Sequence, residues 1–352
     1  MRISELKRTV NFVKQAVIDP NIPSLFQQLI QVLQQNARMQ PGQQPQPITQ
    51  QKTTLIAAIK SIRPETLTLN ERRLLKTFIE MDVMGDSGVD KVNRIFADHN
   101  LDPIGAVNAF NEMQQKYARL ISTASEILKI LEPIDVAVIE TDIEDGHAVL
   151  QITFKGKATM GSVTDWREYS EQWWRIVRSF GLLTDTTADQ AKILSFQQGS
   201  VIVEVSAVYI LVKAIGLAAD KIMSVIERLL DLRKKIHEIK QLDLTNKQIE
   251  RDLEKEADAF VENKMSQITQ HVIAEINKAK AEDGEVKNSL QISIKDLYQF
   301  LDRGGTVDCR LRLMDKEPEE AKQLRDVYGE IRTLETRIEE LKLLTDGKDK
   351  ER

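Results

Sequence analysis

The stretch SVIVEVSAVYILVKAIGLAADKIMSVIERLLDLRKKIHEI, residues 200–239, decides the fold. Its opening residues, 200–205, are dominated by valine and isoleucine, the β-branched residues that suit a pleated surface. From Leu211 onward the period changes. Leu211, Ile215, Ala218, Ile222, Val225, Leu229, Leu232, Ile236 and Ile239 follow alternating steps of four and three, the spacing that keeps one seam on one side of a helix. Met223, Ile226, Leu230 and Leu242 widen that stripe, which suits packing among several helices better than a thin two-stranded seam. A strand that runs directly into a long heptad-patterned helix predicts an α+β, predominantly α-helical chain.

Working upstream, KILSF (192–196) and residues 200–205 read as a hairpin whose turn holds Gly199. Residues 135–155 read as another, turning at Asp145 and Gly146. Between them an aromatic-rich helix spans about 164–183, carrying Trp166, Tyr169, Trp173, Trp174 and Phe180. The order hairpin, helix, hairpin, helix predicts a four-stranded antiparallel sheet with helices on one face. Downstream, a turn near 243–246 precedes a helix to about Ala281, making a helical hairpin. Residues 284–316 read as a small α/β appendage in which LQISI (290–294) and TVDCRLRLM (306–314) are strand-like. A last heptad helix carries Leu324, Val327, Ile331, Leu334, Ile338 and Leu341 before a hydrophilic tail.

The N-terminal part reads as helices joined by loops. Two amphipathic helices, 3–18 and 23–36, are broken where Pro20 and Pro23 remove backbone donors, and a Gln/Pro-rich loop occupies 38–52. Thr68 with Glu71 makes a capping box, and Asp102 with Pro103 makes an N-cap followed by an N1 proline. The helix beginning there keeps Phe110, Met113, Tyr117, Leu120, Ala124, Ile127 and Leu131 in one stripe until Pro133. The expected organisation is therefore a helical domain 1–132, a central α+β domain 133–207, a helical hairpin 208–283, the appendage 284–316, a coiled-coil-like helix 317–345 and a disordered tail 346–352.

A net charge of -5 and a pI near 5.7 disfavour phosphate backbones and anionic lipid surfaces. Arg233, Lys234 and Lys235 are flanked by Glu227, Asp231 and Glu238, so they read as a solvated helix face and nucleic acid is not expected as a partner. The single cysteine, Cys309, allows no internal disulfide, and the N-terminus has no signal-peptide core, which leads to the expectation of a cytoplasmic protein. No P-loop or dinucleotide-binding glycine pattern occurs, and His99, His147, His237 and His271 never pair at zinc-ligand spacing, so no cofactor is expected. Alternation along a strand would put Glu140, Asp142 and Glu144 on one face, a weak candidate for a divalent cation.

Two further features bear on function. Trp166, Tyr169, Trp173 and Phe180 recur at helical spacing with Trp174 beside them, which predicts either core packing against the sheet or an aromatic binding patch. Residues 205–219 are the most apolar stretch but too short to span a bilayer, and they read as a core strand entering a core helix. Three heptad seams without a catalytic constellation predict a non-enzymatic scaffold or adaptor that self-associates or docks to a protein partner. Its interaction seam would be Leu211, Ile215, Ile222, Val225, Leu229, Leu232, Ile236 and Ile239. A membrane-directed effector using 205–219 is the second reading, and a metal-dependent hydrolase using 140–144 the third.

Overall fold

The computed structural model describes residues 3–39, 44–100, 102–132, 143–197, 201–241, 247–312 and 318–349; at 4, 196–197, 233, 235–241, 247–259 and 343–349 it describes the backbone alone. The chain divides into two compact units, Met1–Thr141 and Asp142–Arg352. It is mostly helical, with one small four-stranded antiparallel sheet.

The first unit contains six α-helices among the described residues: α1 (Ile3–Val13), α2 (Ile22–Ala37), α3 (Thr49–Ser61), α4 (Leu69–Phe78), α5 (Gly85–Asp98) and α6 (Pro103–Leu131). α4 starts as its sequence requires: Thr68 Oγ1 accepts from the Glu71 amide while Glu71 Oε2 accepts from the Thr68 amide. The same Glu71 carboxylate holds Arg8 of α1 at 2.6 Å, so one side chain caps a helix and ties it to another. At α6, Asp102 caps the Gly105 amide, and Phe110, Met113, Tyr117, Leu120, Ala124 and Leu131 are buried inside this unit. The phenylalanine, methionine and leucine side chains among these, fully buried, contribute roughly 1.5–3 kcal/mol each.

In the second unit the strands are β1 (His147–Phe154), β2 (Lys192–Gln197), β3 (Val201–Val208) and β4 (Thr306–Arg310), in the spatial order β2-β3-β1-β4. Every pairing is antiparallel. Register places Leu150 of β1 between Val205 and Cys309, and Ile152 between Val203 and Val307. The hairpin expected at 135–155 is corrected in part: β1 is its second strand, but β1 lies inside the sheet with β3 on one edge and β4 on the other. The expected first strand falls largely at 133–142, outside the described residues, as does the turn at 198–200.

The helices of this unit are α7 (Val163–Thr184), α8 (Tyr209–Gln241), α9 (Lys247–Ile276), α10 (Gly284–Asp302) and α11 (Glu319–Asp349). LQISI is not a strand but the middle of α10, because Val286, Leu290, Ile294, Leu297 and Leu301 recur every three or four residues and are all buried. Residues from β1 through α11 share a single core. Along α8, Leu211, Ile215, Ala218, Ile222, Val225 and Leu229 are buried, with α9, α10 and α11 packed against the helix. At Gly216 the Tyr328 ring of α11 comes so close that a Cβ there would lie 2.8 Å from it, and the Tyr328 hydroxyl donates to Val212 O at 3.0 Å.

Both sheet faces are covered. The apolar face, with Ala148, Leu150, Ile152 and Phe154, joins the helical core. The opposite face carries Gln151, Glu204, Asp308 and Arg310, all buried. There Arg332 of α11 donates to Asp308 Oδ1 at 2.8 Å and to Cys309 O at 2.7 Å. Buried charge is tolerated when it is paired and hydrogen-bonded, and this pairing replaces the solvent-facing side that simple alternation predicts.

Candidate functional site: an apolar cleft beside the aromatic helix

α7 begins at a second reciprocal cap. Ser162 Oγ accepts from the Asp165 amide at 3.1 Å, and Asp165 Oδ2 accepts from the amides of Ser162 and Gly161 at 2.8 and 2.9 Å. These hydrogen bonds hold the exposed Asp165 carboxyl below the usual carboxylate range. With its start fixed, the helix presents two stripes.

Tyr169, Trp173, Ile176, Phe180 and Leu183 are buried. They meet the sheet and α10 in a nest of edge-to-face rings: Phe154 lies 5.2 Å from both Tyr169 and Phe300, and Trp173 stands at 86° to Phe300 with the same centroid distance. The Trp173 indole N–H is buried and finds no hydrogen-bond acceptor among the described residues.

The adjacent stripe, Trp166, Ser170, Trp174 and Val177, forms one wall of a cleft of about 290 Å³. Ile152 and Phe154 of β1 and Val203 and Val205 of β3 also line it, and Ile193 of the edge strand β2 stands at its margin, 71% exposed. Apart from Ser170 and the polar tips of the aromatic rings, the lining side chains carry no hydrogen-bonding group. Trp166 is 46% and Trp174 55% exposed, and the guanidinium of Arg178 lies 5.4 Å from the Trp174 ring. Trp166 shares helical phase with Trp173 yet remains half exposed, so the aromatic patch expected at Trp166, Tyr169, Trp173 and Trp174 divides: Tyr169 and Trp173 are core, Trp166 and Trp174 are surface.

The other expected site residues are placed as follows. Leu211, Ile215, Ile222, Val225 and Leu229 are consumed within the chain, Leu232 is 37% exposed, and the side chains of Ile236 and Ile239 lie outside the described residues. Glu140 and Asp142 are also outside them. Glu144 is exposed and bound to Lys192 at 2.6 Å, a hydrogen bond and opposite charge that hold its carboxyl below the usual range. Among the described residues no group of three or more His, Cys, Asp or Glu could hold a metal ion. The apolar stretch 205–219 enters the core, with Ala214, Ile215, Ala218 and Ala219 buried, and no helix of the described residues is long and apolar enough to cross a membrane.

Sequence reading missed Ile193. Strict alternation would put Ile193 and Ser195 on one face, but the register shifts between them, so Ile193 pairs with Val205 on the cleft face while Ser195 pairs with Glu204 on the polar one. Comparison with protein-family models, with curated proteins and with solved structures found no match.

Proposed function

We propose that this chain is a non-enzymatic scaffold or adaptor that docks to a protein partner through the cleft between α7 and the sheet. The observation that carries the reading is the pair of half-exposed tryptophans, Trp166 and Trp174, standing over an otherwise apolar depression. Leaving that much indole in water forgoes burial that the core could supply, and large aromatic anchors are the residues that dominate protein interfaces when a partner covers them. The heptad helices then act as the frame that positions the cleft, since the seam from Leu211 to Leu229 already lies in the core.

The test is a display selection of random short peptides on the full-length protein, counter-selected with W166A/W174A. Both residues are exposed, so the variant is expected to fold as the parent does. Peptides rich in apolar residues that bind the parent and lose about tenfold or more in affinity on the variant support the reading. A selection that yields only binders indifferent to both tryptophans refutes it. Light scattering after size-exclusion chromatography, over a range of concentrations, decides whether a second copy is the partner.

A further inference from the structure

We infer that a second cleft, between α8 and α9, binds a small phosphate ester, its phosphoryl group gripped by Arg228 and Lys264 and its organic part resting on an apolar floor. This cleft shares none of its described lining with the one beside α7, so the inference stands apart from the docking reading. Its volume is about 280 Å³, near the lower limit of the roughly 300–1,000 Å³ of small-molecule sites, which suits a compact ligand.

The spacing of the lining residues shows how the site forms. Lys221, Val225 and Arg228 recur at steps of four and three on α8, and Phe260, Lys264 and Ile268 at steps of four on α9, so one face of each helix lines the cleft where the two pack together. Val225 and Ile268 are buried and Phe260 is partly so; these three make the floor. Arg228 and Lys264 line the same cleft, one from each helix.

Lys264 is held in place before any ligand arrives. Its Nζ donates to Gln267 Oε1 at 2.8 Å and lies 5.7 Å from the centroid of the Phe260 ring, while Gln267 Nε2 donates to Asn263 Oδ1 at 3.1 Å. That chain fixes the ammonium through a neutral acceptor and leaves further N–H groups for an anion. Arg228 is exposed and brings a planar fork of donors, the group best matched to phosphate oxygens. Among the described residues no carboxylate lines the cleft. Lys221 has a different role. It bonds Asp220 Oδ2 at 2.9 Å, with Glu275 and Glu330 also acting on it, and it stands two turns, about 10 Å, from Arg228 along α8. The anion therefore seats at the Arg228 and Lys264 end.

Two gathered cations select the ligand class. A phosphate monoester carries about -1.5 to -2 charges at pH 7 and balances both, whereas a monocarboxylate balances one. A cleft of one sign with apolar walls concentrates counter-charge locally, even on a chain whose net charge is -5. Inorganic phosphate would leave the floor uncovered, so an ester with an apolar group gains more.

The experiment is calorimetric titration of the full-length protein with phenyl phosphate, expected to give a Kd of about 1 mM or tighter. R228Q/K264Q should weaken binding about tenfold or more, and R228Q alone, at an exposed position, should act in the same direction. K278Q/K287Q removes the same charge from exposed positions elsewhere in the unit and should change the Kd by less than about twofold. Urea midpoints read by tryptophan fluorescence show that each variant folds as the parent does. Inorganic phosphate and benzoate should each bind at least about fivefold more weakly than phenyl phosphate. Flotation with phosphatidylcholine vesicles containing phosphatidic acid separates the sources of the ester: capture that is lost in R228Q/K264Q identifies a lipid headgroup, and no capture beside intact phenyl phosphate binding identifies a soluble one. No binding of phenyl phosphate, or equal losses in the two double variants, overturns the site. Benzoate binding as tightly as phenyl phosphate overturns the phosphate assignment, and inorganic phosphate binding as tightly overturns the ester.

Discussion

Gly216 is the point at which the frame can be tested with a single substitution. A Cβ there would meet Tyr328 Cε2 at 2.8 Å and Cζ at 3.0 Å, with Val327 Cγ1 at 3.1 Å. The ring cannot swing aside freely, since it is fully buried and its hydroxyl is bonded to Val212 O on the same helix as the glycine. For Gly216→Val, overpacking of this kind costs roughly 1–3 kcal/mol or more, whereas the better helix propensity of valine over glycine returns only about 0.4 kcal/mol. The net expectation is a loss of about 2 kcal/mol. Gly329→Ala, one residue along α11 from Tyr328, is the control: a Cβ there meets nothing within 4 Å, so the variant should gain up to about 1 kcal/mol. All three tryptophans, at 166, 173 and 174, belong to the second unit, so urea unfolding followed by tryptophan fluorescence reads that unit without signal from the first. An unchanged midpoint for Gly216→Val beside a stabilised Gly329→Ala would mean that α11 does not lie on α8 as described.

Two further predictions concern buried polar groups. Lys155 Nζ bonds Glu335 Oε1 at 2.6 Å and Glu339 Oε1 at 3.1 Å; burial holds the Glu335 carboxyl above the usual range, against the pull of that ammonium. Lys155→Met should cost about 1–3 kcal/mol, less than for a fully enclosed pair because Lys155 is 34% exposed. A raised folded-state pKa means that the protonated acid is the form the fold favours. The Glu335 contribution is thus present below the ordinary value of about 4.5 and lost as pH rises through the folded value. The deficit of Lys155→Met should grow between acid and neutral pH, with Glu335→Gln in the same chain recovering much of it; a pH-independent deficit in urea titrations would contradict this. Cys309 is buried and its thiol is pushed up by burial, so the native protein should resist alkylation by iodoacetamide and react at the rate of opening of the second unit. Labelling as fast as a free thiol would contradict its burial in the β4 core.

How far the sequence could be read depends on whether each signal is local. Caps are local: Thr68 with Glu71 and Asp102 with Pro103 each name their own helix start, and the structure has both. Stripes are nearly so, which is why α6 and the buried part of α8 follow their spacing. Sheet partners are not. Nothing within TVDCR says that it pairs with β1, because the pairing bridges two distant parts of the chain. LQISI misled because a short apolar run has no distinct period until Val286, Leu297 and Leu301 are counted with it. In the cleft, the aromatics were legible as a group, but period fixes only which way a residue faces around a helix axis. The exposure of Trp166 depends on where along that axis the covering surface ends.

The position of β4 carries a consequence for how the protein is made. During synthesis β1 leaves the ribosome early, yet its outer edge waits for Thr306–Arg310, and the α8 seam waits for α11 beyond that. Throughout the interval a nascent chain would display an open strand and a long apolar helix face together, the combination that recruits chaperones and promotes aggregation. Any copy terminated before Arg310 would keep that display permanently, so the last strand of the sheet also decides whether a finished chain is safe to release.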